Sequence, residues 1–204
     1  MLFTRVRRWQ RNLHSWFVQK YFTRKLEELT EDFVRRFESF LTAGSQVLDI
    51  GGAWGFYFEP LVRRGHFVTV LDVAKPTYQR TPVVLYDSDG PFPFPDKSFD
   101  ISLIVTVLHH ADHPERILDE AIRVTRKTII IVEDLYRHPC GKFWTVLRDQ
   151  IYNFEYFGHP KQFRTAQGWQ DLFKEKKLES VYFEELYTWL SGLRILNGIF
   201  VLKV

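Results

Sequence analysis

Residues 2–21 place Leu2, Phe3, Val6, Trp9, Leu13, Trp16, Phe17 and Tyr21 on one face of a helix, with Arg5, Arg7, Arg8 and Arg11 at its edge or opposite. A second amphipathic stretch runs through Leu26, Leu29, Phe33, Phe37, Phe40 and Leu41, and Gly44 supplies a helix stop. The period then changes. Val47, Leu48, Asp49 and Ile50 read as a short buried strand, followed by a helical pattern through Phe56, Phe58, Leu61 and Val62 that ends at Arg63-Arg64-Gly65-His66. Further strands are predicted at 67–72, 82–87 and 101–105, and a helix at 115–125 packs through Ile117, Leu118, Ala121, Ile122 and Val124. The run 128–134 is nearly all apolar, as a strand buried on both faces requires. An aromatic-rich helical stretch at 143–157, a helix opening at 165–169 and continuing to 177, and strands at 178–187 and 194–204 complete the chain. Strands alternating with helices predict a parallel, doubly wound α/β sheet.

Between the first strand and its helix, Gly51, Gly52 and Gly55 fall within five positions. A strand, a glycine-rich turn and a helix in that order let backbone approach a ligand closely, with the helix N-terminus aimed at it. The pattern predicts a nucleotide-cofactor site. The nicotinamide frame Gly-x-Gly-x-x-Gly fails here, because it reads Gly51, Ala53 and Phe56. The frame acid-x-Gly-x-Gly-x-Gly reads Asp49, Gly51, Ala53 and Gly55, with one conservative departure at Ala53. Asp72 closes the second predicted strand 21 residues beyond Gly51, the distance at which a carboxylate accepts from a ribose diol; an Asp that merely starts a turn is the structural alternative.

The glycine frame resembles motif I of the class I S-adenosylmethionine-dependent methyltransferases. The stretch 87–100 is similar to that family's D…LPFPD-x-SFD signature, and 107–114 to its VLHH-x-x-DP segment. The resemblance covers about residues 44–135 and implies a Rossmann-like seven-stranded sheet of order 3-2-1-4-5-7-6, with an N-terminal helical cap on this chain. It implies S-adenosylmethionine as cofactor, its methionine end held by Asp49, Gly51, Gly52, Ala53 and Gly55, its ribose by Asp72, and its adenine amino group by Asp87 or Asp89, Asp87 preferred. Val73 beside Asp72, Ser88 beside Asp87, and Thr106 after strand four complete the expected cofactor set. His109, Glu133 and Tyr136 are expected at the methyl acceptor, and His110 is expected to orient or deprotonate it. The expected reaction is methyl transfer to a small molecule, lipophilic or aromatic in the reading that the composition suggests. A catalytically inactive partner protein of the same fold and a nicotinamide oxidoreductase are the rivals; intact Asp49, Gly51, Gly55 and Asp72 oppose the first, and Phe56 the second.

A length of 204 residues suits one domain, 1–204, with 1–43 as the helical cap and 44–204 as the α/β core. Aromatics make up 17% of the chain, which fits either a Phe-rich core or a pocket for a flat, greasy substrate. No apolar run reaches membrane-spanning length and no secretory core is present. A single cysteine excludes an internal disulfide and fits a reducing, cytoplasmic setting. The net charge of +3 conceals an arm: residues 1–26 hold seven Lys/Arg and no acid, and the remainder is net −4. Three readings stay open for residues 1–22: a helix whose Trp9, Trp16 and Phe17 close the active-site mouth, a helix lying on an anionic membrane surface, or a cleaved transit segment. A nucleic-acid acceptor rests on this basic arm alone, because residues 106–109 lack the Pro-Pro-aromatic signature of amino-directed nucleic-acid enzymes. His109, His110 and His113 with Asp112 lack the i,i+4 histidine pair of a zincin helix, so no metal is expected. Cys140 follows the fifth strand, whereas the cytosine-modifying enzymes place their Pro-Cys after the fourth, which argues against a catalytic thiol.

Overall fold

A computed structural model describes residues 16, 18–52, 54–75, 81–88, 90–153, 161–190 and 192–204. Seven strands form one sheet: β1 Gln46–Ile50, β2 Phe67–Asp72, β3 Val83–Leu85, β4 Phe99–Val105, β5 Thr125–Asp134, β6 Glu179–Leu190 and β7 Leu193–Lys203. Their order is β3-β2-β1-β4-β5-β7-β6, as the resemblance implies. β1 to β5 are parallel, and β7 enters antiparallel between β5 and β6. Ile50 pairs with both Leu71 and Ile104, so the loops after β1, β2 and β4 open at one edge of the sheet. Ligands of open α/β sheets bind at that edge, where the strand order reverses.

Side-chain alternation divides the core into two layers. Leu48, Ile50, Ile104, Ile129, Ile131, Phe200 and Leu202 face the helices α3 Pro114–Val124 and α5 Ala166–Glu175. Val47, Ile101, Leu103, Ile130, Val132, Ile199 and Val201 face the other way. Against that second face lie α1 Thr23–Phe37 and the single-turn α2 Phe58–Arg63. The buried stripe of α1 is Thr30, Phe33, Val34 and Phe37, so this part of the expected cap is a layer of the sandwich. Arg64 ties the end of α2 to Glu31 of α1 at 2.9 Å. The helix α4 Pro139–Asn153 follows β5.

Several boundaries differ from the sequence pattern for identifiable reasons. The third strand shrinks from 82–87 to Val83–Leu85, since it is an edge strand whose Val84 and Leu85 stay exposed. β5 begins at Thr125, three residues early, because the Lys97 ammonium donates to the Thr125 carbonyl at 2.7 Å and Thr125 hydroxyl meets Ser102 at 2.6 Å. α4 starts at Pro139 rather than 143; proline is at home in a first helical turn, where its missing N–H has no partner to lose. α5 is capped as its sequence suggests: Thr165 Oγ1 accepts from Gly168 N at 3.1 Å.

Of the stripe at residues 2–21, Leu2 to Leu13 and Phe17 lie outside the described residues, and Trp9 with them. Trp16 and Tyr21 meet edge to face and remain 51% and 57% exposed. Among the described residues, then, the expected stripe is open to solvent.

Candidate active site

The turn after β1 is shaped by what it cannot hold. Gly51 and Gly55 adopt φ of +74° and +71°, the left-handed region that suits glycine. A Cβ on Gly51 would stand 2.4 Å from Val107 Cγ2, and one on Gly52 would stand 2.0 Å from Asp49 Oδ2. Hydrogen bonds from Gly51 N to the Leu71 carbonyl and from Gly55 N to the Gly52 carbonyl, both 2.7 Å, close the turn. Asp49 beneath it is 1% exposed, and its Oδ2 has no hydrogen-bond partner among the described residues. Burial, with a smaller contribution from the Asp72 charge, pushes its carboxyl up to about 7. The nearby Tyr57 hydroxyl is pushed up by burial and by Asp49, with Thr30 hydrogen-bonding to it. A buried carboxylate without a partner below a side-chain-free backbone cradle suits a ligand that carries positive charge. The methionine end of S-adenosylmethionine, with an ammonium and a sulfonium, is such a ligand.

Around this cradle the other expected cofactor residues take definite places. Asp72 ends β2 half-buried, and its Oδ1 accepts from Ala74 N at 3.0 Å, so it starts a turn while its charge also acts on Asp49. Val73 beside it is 51% exposed. Asp87 and Ser88 lie exposed beyond the tip of β3, where the Asp87 carbonyl accepts from Gly90 N at 2.8 Å. Ala53 and Asp89 fall outside the described residues. Thr106 is exposed at φ +53°, a costly conformation for a β-branched residue and one that clusters at functional sites.

Beside the cradle, β5 ends in Glu133 and Asp134, and Glu133 organises the loop after β4. Its Oε1 accepts from Val107 N at 3.0 Å and Leu108 N at 2.7 Å, and its Oε2 makes a short hydrogen bond with His109 Nδ1. His109 lies between the stacked Phe163 ring at 4.4 Å and the His110 ring at 4.1 Å. Its Nε2 faces Asp149 Oδ1 at 3.7 Å, and His110 Nε2 faces the same oxygen at 3.5 Å. Asp149 Oδ2 accepts from Lys161 Nζ at 2.7 Å. Burial by itself would lower the His109 pKa, but Glu133 and Asp149 outweigh it and raise the ring to about 10. Burial raises Asp149, and His109, His110 and Lys161 more than reverse this, holding the carboxyl well below its ordinary range.

A second polar chain braces the first. Thr188 Oγ1 donates to Asn197 Oδ1 at 2.6 Å, Asn197 Nδ2 donates to Asp134 Oδ1 at 2.7 Å, and Arg148 pairs with the other Asp134 oxygen.

His109 and Glu133, expected at the acceptor, have side chains 1% and 0% exposed and fully engaged with each other and the loop. His110 retains 25% exposure and Tyr136 is half-buried beneath Lys142. Asp149, Lys161 and Phe163 carried no motif. The available signal was a polar pair, Thr145 and Asp149, four residues apart on one face of α4, and both are buried. His113 instead occupies the N-cap position of α3 without a side-chain cap bond, and Cys140 is exposed in the first turn of α4.

A glycine cradle after β1, acids at the ends of β1 and β2, and the sheet order belong to the Rossmann-like fold that solved S-adenosylmethionine-dependent methyltransferases share. Residues 48–132 match the family model described as a methyltransferase domain. Demethylmenaquinone methyltransferase of Tropheryma whipplei (strain Twist) is 32% identical over 107 residues, 48% of this chain and 45% of that protein. The chain thus spans about half the length of the curated relatives it matches. An S-adenosylmethionine-dependent methyltransferase structure from Methanosarcina mazei has TM-score 0.65 at 18% identity, covering 82% of this chain and 96% of that one. The 1,6-didemethyltoxoflavin-N1-methyltransferase of Burkholderia thailandensis, solved with 1,6-didemethyltoxoflavin and S-adenosylhomocysteine, has TM-score 0.62 at 17% identity, covering 94% and 87%. These structural likenesses establish the fold.

Proposed function

We propose that this chain transfers the methyl group of S-adenosylmethionine to a small, lipophilic or aromatic acceptor bearing an acidic hydroxyl or comparable group. The observation that carries the reading is the unpartnered, buried Asp49 Oδ2 below a turn that excludes side chains. Asp49, Gly51, Gly52, Ala53 and Gly55 would hold the methionine end, Asp72 and Val73 the ribose, and Asp87, Ser88 and Thr106 the adenine side. The cofactor, when bound, supplies an electrophilic methyl on a sulfonium. The chain's own part is alignment: a rigid cradle and a braced loop hold two reactants in line, and effective concentration alone lowers the barrier substantially. His110, the partly exposed member of the histidine pair, marks where the acceptor's proton is handled, with Asp149 behind it and His109, Glu133 and Tyr136 setting its position.

The demethylmenaquinone relative supports a quinone-like acceptor, and exposed Trp16, Tyr21, Phe143 and Trp144 with Lys20 and Lys142 support peripheral contact with an anionic membrane. Calorimetry tests the cofactor assignment. S-adenosylmethionine is expected to bind and NADH is not. Asp72→Ala should weaken the binding by about 1.5–3 kcal/mol, the value of a hydrogen bond to a charged group, or roughly 10- to 150-fold. Unchanged affinity in the folded variant removes Asp72 from the site, and no heat with the native chain removes the reading.

A further inference from the structure

His109, His110 and Asp149 each offer one ligand atom, and the three atoms lie within 4.8 Å of one another. The two histidine Nε2 atoms stand 3.7 and 3.5 Å from Asp149 Oδ1, longer than good hydrogen bonds and close to the separation of neighbouring ligands on one small ion. Bonds of about 2.0–2.2 Å in a tetrahedron put ligand atoms roughly 3.3–3.5 Å apart. The surroundings complete such a centre. Glu133 accepts from His109 Nδ1, which fixes the ring and leaves Nε2 turned to the centre, the carboxylate–histidine support typical of metal ligands. Lys161 donates to Asp149 Oδ2, and Oδ1 is the oxygen that faces both histidines. Phe163 walls one side of His109, and the His110 side chain is 25% exposed.

We propose that His109, His110 and Asp149 form a three-ligand site for a divalent first-row cation, Zn²⁺ first among them, with its open position toward the methyl acceptor. Two imidazoles and one carboxylate favour Zn²⁺ over Mg²⁺ or Ca²⁺, which take oxygen ligands. The ion occupies the space between the rings and the carboxylate, and the proton that Glu133 and Asp149 favour on the His109 ring leaves to solvent as it binds. Resting on the methyltransferase reading, the inference assigns the open position to the acceptor's hydroxyl oxygen: the ion polarises it, and its proton leaves to solvent on the His110 side. The substrate class narrows accordingly to acceptors with a hydroxyl beside the methylated atom, or methylated on that oxygen. The histidine pair then acts through the cation, and Glu133 is a positioning residue.

The test is direct titration of Zn²⁺ into chelator-treated, dialysed protein against a chromophoric chelator. One ion per chain is expected. His110→Ala, at a partly exposed position that tolerates truncation, and Asp149→Asn should each weaken binding at least about 10-fold, and Glu133→Gln about 10- to 100-fold. His113→Ala, outside the cluster, should bind as the native chain does. Circular dichroism verifies that each variant is folded. Less than one ion bound by the native chain overturns the proposal, as does native-like affinity in His110→Ala or an equal loss in His113→Ala. S-adenosylmethionine titrated into the same metal-free protein keeps the two readings apart. Cofactor binding without zinc binding removes only the cation, whereas zinc binding without cofactor binding removes the methyltransferase reading and leaves a metal site.

Discussion

Asp49 carries its own pH signature. Its carboxyl moves from the ordinary 3.8 to about 7 in the folded chain, because burial disfavours the charged form and Asp72 repels it. Between those values the folded chain holds a proton that the unfolded chain has released, so this group's contribution to stability falls as pH rises through the window. The ceiling is about 4 kcal/mol. Asp49→Asn should remove that slope, so the melting temperature of the variant should gain on the native chain between about pH 4 and 7. A cationic ligand at Oδ2 should reverse the preference and expel the proton. Calorimetry of S-adenosylmethionine binding near pH 7, in buffers of different ionisation enthalpy, should therefore report proton release. Heat independent of the buffer would detach Asp49 from the cation. The residue was legible in sequence as the acid before the glycines, but its lack of a partner was not, since that depends on every side chain packed around it.

α1 shows what an amphipathic pattern establishes and what it omits. The spacing of Phe33 and Phe37 required a buried stripe, yet nothing local specified whether it covers a cleft or a sheet. The chain returns through β1, β4, β5 and β7 to offer one apolar face, and α1 seals it. Phe37→Ala should accordingly cost about 3–5 kcal/mol, a large fraction of a typical total of 5–15, while the folded fraction binds cofactor normally. Undiminished stability would detach α1 from the packing of the sheet. Thr165→Ala, which removes the cap of α5, is a milder comparison at about 1 kcal/mol, or 2–4 °C in melting temperature. The cap was readable in the sequence because capping is local.

Charge and exposed aromatics act on the whole molecule. The arm of seven Lys/Arg and no acid over residues 1–26 precedes a body of net −4, and four aromatic side chains at or above half exposure stand on the region 16–21 and on α4. Anionic liposomes should sediment the full chain at low salt, less so near 1 M, where the screening length falls to about 3 Å. Deleting residues 1–22 should abolish the retention and leave turnover on a soluble acceptor near normal. Collapse of turnover, with liposomes ignored by the full chain, would instead make the arm a lid.

The sequence pattern by itself determined the strands, the parallel half of the sheet and the glycine turn, and the family resemblance implied the strand order. These depend on contiguous signals: alternation and apolar runs that record burial, glycines that record close approach, and an acid at a strand tip. Only the tertiary structure decided what surrounds the histidine pair. Glu133 meets His109 across 24 residues, and Asp149 meets the histidine pair from a helix whose pattern otherwise reads as aromatic packing. Periodicity reports that a position is buried and is silent about its partner. For an apolar side chain that omission matters little, because dispersion and the hydrophobic effect have no direction. For a buried charge the partner's identity and geometry set protonation, metal affinity and chemistry, and those exist only once the strands and helices have met.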